Sequence, residues 1–183
     1  MDKKLKILLV NDDGISSPGI VHLAEMAMQL GEVWVAAPSS QCSAMSQKLT
    51  IFQPLDVEEY DFPLPVAGAY SIGGTPADCV KTALKALLPI RPDVVFSGIN
   101  IGYNAGFDIA YSGTVAAAME AVLNGIPAIA FSAQHDGSYD VTDRYSTSPA
   151  SCWPRPSPPA RYGTSTSPAV RSTNSKASCT NAR

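Results

Sequence analysis

The chain reads as an α/β protein built on a doubly wound, mostly parallel sheet. Three observations predict it. Short continuous apolar runs each end abruptly in polar residues, segments of helical period lie between them, and the loops that leave the runs are rich in glycine and hydroxyls. With 183 residues, 45% of them hydrophobic, the chain can bury the core of one domain of this class.

Residues 6–10, Lys-Ile-Leu-Leu-Val, form an apolar run that stops at Asn11-Asp12-Asp13-Gly14, the pattern of a strand covered on both faces. Pro18 suits an early helical position, and Ile20, Leu23, Ala24 and Ala27 recur at helical spacing until Gly31 offers a stop. Residues 33–37 repeat the strand pattern, close at Pro38 and enter a hydroxyl-rich loop over 39–46. Residues 50–57 and 69–72 are further candidate strands. Thr75 caps a helix with Pro76 in its first turn, and its stripe of Cys79, Val80, Ala83, Leu84 and Leu87 ends before Pro89. Residues 94–96 read as a short buried strand and 97–113 as a long glycine-rich loop. Thr114 then begins a helix with Val115, Ala118, Met119 and Val122 on one face, stopped by Gly125. Residues 128–131 complete a last strand. The alternation specifies a Rossmann-like sheet, with ligands expected at the strands' carboxyl ends.

Charge narrows the partners. A net charge of -3 and a pI near 5.3 give no basis for binding a nucleic-acid backbone or an anionic membrane. The run at 6–10 is too short for a secretory signal, so the expectation is a cytoplasmic protein. Cys42, Cys79, Cys152 and Cys179 lack CxxC spacing and suggest neither zinc nor a disulfide framework.

The pattern holds over residues 1–137, the expected catalytic domain, and breaks at 138–183. That tail contains no Leu, Ile, Met or Phe, is dominated by Ser, Thr, Pro, Ala and Arg, and carries six basic against two acidic residues. It is read as a low-complexity segment, disordered or frame-shifted; the other two reading frames of the coding DNA distinguish these.

Four segments could carry chemistry. Adjacent carboxylates at Asp12 and Asp13 repel each other unless a cation compensates, which a hard divalent ion does well; a plain turn before a helix explains the same residues. Ser43, in the loop after the second strand, can give a neutral oxygen to Mg²⁺ or Mn²⁺ or simply face solvent. Within Ser97-Gly98-Ile99-Asn100-Ile101-Gly102-Tyr103-Asn104-Ala105-Gly106, Asn100 can ligate through its amide oxygen, although Asn and Gly also suit tight turns. Ser112-Gly113-Thr114 opens a helix whose free N–H groups suit a phosphate, or which is merely capped there. Gly73-Gly74-Thr75-Pro76-Ala77-Asp78 is a glycine turn with a capped helix. His22 and His135 receive no role, and no Ser-His or Cys-His pairing supports a nucleophilic triad. Metal-activated water is the better mechanism.

Taken in order, Asn11-Asp12-Asp13-Gly14, Ser43-Ala44, Gly73-Gly74-Thr75-Pro76-Ala77-Asp78-Cys79-Val80, Ser97-Gly98-Ile99-Asn100-Ile101-Gly102 and Tyr111-Ser112-Gly113-Thr114-Val115 closely resemble the SurE survival-protein family of 5'/3'-nucleotidases. The resemblance spans roughly residues 5–137. It implies one divalent metal ion per subunit, Mg²⁺ or Mn²⁺, held by Asp12, Asp13, Ser43 and Asn100, with Asp12 and Asn100 also catalytic. It further implies substrate phosphate contacts at Asn104, Ser112, Gly113 and Thr114, a nucleoside monophosphate substrate, and a homodimer or homotetramer. The chain departs from the family at Gln41-Cys42, where many relatives carry a basic residue or Ser-Gly, and in the tail, where relatives continue with further strands. A receiver-like Mg²⁺-binding signalling module is a rival, but it needs a phosphoacceptor Asp where Ser97 and Asn100 follow the strand. An aspartyl-nucleophile phosphatase is disfavoured because Asp12 and Asp13 are adjacent. A third alternative is a catalytically impaired homologue that holds the site residues without the complete scaffold.

Overall fold

The computed structural model describes residues 4–134 and 139. Strand β1 (Leu5–Val10) lies at the centre of a six-stranded sheet, with helix α1 (Pro18–Met28) following it and β2 (Gly31–Pro38) beside it. Next come β3 (Val57–Glu59), β4 (Gly68–Ile72), α2 (Pro76–Thr82), β5 (Val94–Ile101), α3 (Gly113–Leu123) and β6 (Ala128–Ala133). The strand order is β3-β4-β2-β1-β5-β6, parallel throughout except for the β3–β4 pair.

The alternation of β1 explains its burial. Ile7 and Leu9 join the core beneath α1, with Ile20, Leu23, Ala24 and Ala27; Leu8 and Val10 join the opposite core, with Cys79, Val80, Ala117 and Ala121 from α2 and α3. The sheet is thus covered on both faces, as expected of a doubly wound fold. The chain steps outward from β1 through β2 to β4, then returns to place β5 on the other side of β1. A crevice between the carboxyl ends of β1 and β5 follows from that reversal.

Four local expectations change. Gly31 opens β2 directly, because a Cβ there would run into the Leu5 carbonyl oxygen. The strand expected over 50–57 forms only at Val57. The Thr50 N–H and hydroxyl are bound by the Asp78 carboxylate at 2.9 and 2.8 Å, Pro54 has no N–H to give, and Phe52 is 96% exposed. Helix α2 widens into a π-helical turn at Ala83–Leu87, closed by the Leu88 N–H on the Ala83 carbonyl. The loop expected from 97 starts later, since β5 continues to Ile101 across an irregularity between Ser97 and Asn100, where Gly98 adopts φ 130° and Asn100 pairs with Ser132.

Helix α3 stops as anticipated. Gly125 has φ 71°, its N–H reaches the Val122 carbonyl and the Ile126 N–H reaches that of Ala121. Arg91 donates to the Asn124 and Gly125 carbonyls at 2.8 and 3.2 Å, placing a cation at the negative end of the helix. Among the described residues no helix is long and apolar enough to cross a membrane. The expectations for the tail, His135, Cys152 and Cys179 lie outside the described residues. Tyr139 is described, with its ring 4.6 Å from that of His22.

Candidate active site

The turn after β1 is held from within. The Asn11 amide donates to the Gly14 carbonyl at 2.8 Å and to the Ser17 hydroxyl at 2.7 Å, while Gly14 takes φ 97°. A Cβ on Gly14 would sit 3.4 Å from the Ser40 carbonyl carbon, so the loops after β1 and β2 meet there. The Cys42 N–H donates to the Asp12 carbonyl at 2.7 Å, and the Gln41 amide to the Asp13 carboxylate at 3.3 Å. These contacts bring Ser43, the next residue and itself exposed, to the edge that carries both aspartates.

Asp12 is 5% exposed and points at the start of α3. The Thr114 hydroxyl donates to its carboxylate at 2.6 Å, and Gly113 packs so closely that a Cβ there would lie 2.8 Å from the Asp12 Cβ. Burial pushes the Asp12 carboxyl above the ordinary carboxylate value, against the pull of the Thr114 hydroxyl and of the N–H groups of Thr114, Asp12 and Gly113. Burial also raises the Asp13 carboxyl, the charge of Asp12 raises it further, and the Gln41 amide opposes both. Among the described residues neither carboxylate has an ion-pair partner.

Asn100 stands half-buried near the carboxyl end of β5, and its amide N–H donates to the Gly102 carbonyl at 3.0 Å, which leaves the amide oxygen as its remaining polar atom. Asn104 donates to the Ser132 hydroxyl at 2.8 Å. Ser112 caps α3 by accepting from the Val115 N–H at 3.1 Å. The Thr114 hydroxyl proton is already given to Asp12, and the helix start supports that carboxylate first.

An all-oxygen set of two carboxylates, a hydroxyl and an amide oxygen suits Mg²⁺ or Mn²⁺ rather than zinc. Two adjacent carboxylates, both disfavoured as anions and lacking a basic partner among the described residues, fit a divalent cation. Among the described residues no three His, Cys, Asp or Glu side chains cluster. Sequence reasoning missed Gln41, Ser132 and the bond between Asp12 and Thr114. The last two contacts are invisible to local spacing, because they join residues 28 and 102 positions apart.

Comparison with known proteins identifies the family and the fold. A sequence model of the family described as "Survival protein SurE" matches residues 7–162. The chain is 48% identical over 139 residues to a protein named 5'-nucleotidase SurE from Pelotomaculum thermopropionicum, covering 76% of this chain and 52% of that one. A protein of the same name from Pelobacter propionicus is 52% identical over 128 residues, covering 70% and 50%. The crystal structure of SurE protein from Aquifex aeolicus superposes with a TM-score of 0.69 at 43% identity, over 76% of this chain and 56% of that one. The chain therefore spans about half the length of the relatives it matches. With a family match over most of its residues and the same α/β fold, the chain belongs to the SurE survival protein family.

Proposed function

We propose that the chain is a metal-dependent phosphomonoesterase that hydrolyses nucleoside 5'-monophosphates to nucleoside and phosphate. The observation that carries this reading is the buried Asp12 carboxylate, set between Asp13 and the Ser112–Gly113–Thr114 start of α3 at the sheet's switch point. Relatives of the matched region are named 5'-nucleotidase SurE, which supports the same substrate class here.

Asp12, Asp13, Ser43 and Asn100 would hold a divalent ion, which when bound supplies charge to polarise a phosphoryl oxygen and acidify water. The chain's own residues do the rest. Thr114 fixes one oxygen of Asp12 at 2.6 Å, and the other, where the ion does not use it, would orient an attacking water and accept its proton. Asn104, steadied by Ser132, and the Ser112 hydroxyl position the phosphate. Gly113 contributes by having no side chain: any Cβ would fill the space beside Asp12. Water attacks phosphorus as the bond to the ester oxygen breaks, the proton taken up by Asp12 balances the one the leaving oxygen acquires, and no phospho-enzyme forms.

The same reading assigns the chain to the cytoplasm, places its catalytic domain within residues 1–137, and makes its working form a homodimer or homotetramer. The test is phosphate release from AMP and GMP by the full chain with Mg²⁺ or Mn²⁺. Release that stops with EDTA and is absent in Asp12→Asn supports the reading; release unaffected by EDTA overturns it.

A further inference from the structure

Beside α3 lies a cavity of about 400 Å³ whose walls include Phe107, Ile109, Ala116, Met119, Gln47 and Ser112. We infer that it is the subsite for the planar base of a nucleoside, with the Phe107 ring as its stacking surface. The inference deepens the nucleotidase reading and rests on it only for the position of the phosphate.

Three features point to this occupant. Ser112 lines the cavity and immediately precedes Gly113, which packs on Asp12, so the cavity opens next to the proposed phosphate position. A phosphate ester held at Ser112 therefore has its alcohol portion beside an apolar wall. The volume falls within the range of about 300–1,000 Å³ typical of small-ligand sites. The lining combines an aromatic face and aliphatic side chains with one amide, Gln47, that can both donate to and accept from a heterocycle's edge.

The wall is preorganised. Phe107 sits on a 3₁₀ turn, Gly106–Ala110, pinned to the loop after β2: the Ser46 hydroxyl donates to the Ala110 carbonyl at 2.8 Å and the Ser46 N–H to that of Tyr111 at 3.0 Å. The Ser112 N–H donates to the Asp108 carbonyl at 3.1 Å, tying the turn to the cap of α3. Yet the Phe107 ring itself is 92% exposed. A rigidly mounted, uncovered aromatic ring beside a small cavity suits a stacking partner, and losing it removes little from the core.

The test measures calorimetric binding of adenosine, AMP and ribose 5-phosphate to the full chain with Mg²⁺, for wild type, Phe107→Ala and Phe107→Tyr. Phe107→Ala is expected to weaken adenosine and AMP by about 10-fold, within the range for base–aromatic stacking. Ribose 5-phosphate should be unchanged, and Phe107→Tyr should restore the loss. Equal affinity of wild type and Phe107→Ala for adenosine overturns the subsite, as does a change in oligomeric state without a change in adenosine binding. Phosphate release from AMP is followed in parallel. If it is absent while adenosine binding still depends on Phe107, the subsite stands and the hydrolytic reading falls.

Discussion

Removing the Thr114 hydroxyl would leave one oxygen of a buried carboxylate without its donor, since Asp12 is 5% exposed and receives that hydroxyl at 2.6 Å. An unsatisfied buried group of this kind costs about 1–3 kcal/mol, so Thr114→Val should lower thermal stability by that amount and reduce AMP hydrolysis more than Thr114→Ser does. Equal melting midpoints for wild type and Thr114→Val would show that the bond contributes nothing. Ser132 offers a separate case. Its hydroxyl anchors Asn104 at 2.8 Å, and it pairs in register with Asn100, so it steadies one amide of the proposed site from β6, the neighbour of the strand that carries the other. Ser132→Ala is expected to raise KM for AMP about 5-fold with a smaller change in kcat, the size of one neutral hydrogen bond, and a uniform fall in kcat alone would refute the positioning role. At this scale the sequence was readable where chemistry is concentrated in short motifs, as at Asp12-Asp13 and Ser112-Gly113-Thr114. Bonds such as Asp12 to Thr114 join residues that only the parallel crossover brings together, and no local spacing encodes them.

Helix α2 shows how an element's start can depend on a loop. Thr75 and Asp78 form a reciprocal capping box, and Thr50 adds its N–H and hydroxyl to the same carboxylate. Burial pushes the Asp78 carboxyl up, but the hydrogen bonds from Thr50 and Thr75 outweigh it and hold the group below the ordinary carboxylate value. Its folded pKa is therefore lower than its unfolded value of about 3.9. The stabilisation is present in full above that unfolded value and is lost as pH falls through the lower folded one. Asp78→Asn should accordingly lower stability at pH 7, by about 1–2 kcal/mol, and the gap to wild type should narrow as the pH falls below the ordinary carboxylate value of about 3.9. A gap that does not narrow with acidification would assign the effect to shape rather than charge. The cap was legible because Thr75-Pro76 and Asp78 form a local signal. The supposed strand over 50–57 was misleading for the complementary reason: its apolar residues alternate adequately, but Thr50 is engaged by Asp78 and Pro54 cannot donate to a ladder. The end of β5 was missed because Gly98 and Asn100 look like turn residues, while the strand absorbs them through an irregularity.

At the scale of the molecule, the two cores meet on β1. Its side chains divide between the α1 face and the α2–α3 face, so the central sheet is closed by elements that all lie within residues 5–133. Tyr139 adds a ring against His22 and packs at the margin of the α1-side core. Beyond it, residues 140–183 contain no Leu, Ile, Met or Phe and so bring few groups able to enlarge either core. The family match nevertheless continues to residue 162, and the matched region covers only 52% of the relative from Pelotomaculum thermopropionicum. These facts make opposite demands on a shortened protein. If the described sheet and helices form a self-sufficient unit, a chain ending after Tyr139 should unfold in one cooperative transition. Its midpoint should lie within about 4 °C of the full chain, the shift that about 1 kcal/mol produces in a domain of this size. It should also keep the Mg²⁺-dependent rise in midpoint that binding at Asp12 and Asp13 predicts. If instead residues 140–162 contribute to the fold, the truncated chain should melt much lower or without cooperativity. Thermal unfolding of both chains, with Mg²⁺ and with EDTA, separates the two. A matched pair of midpoints with a lost Mg²⁺ response would place the deficit at the site and leave the scaffold intact.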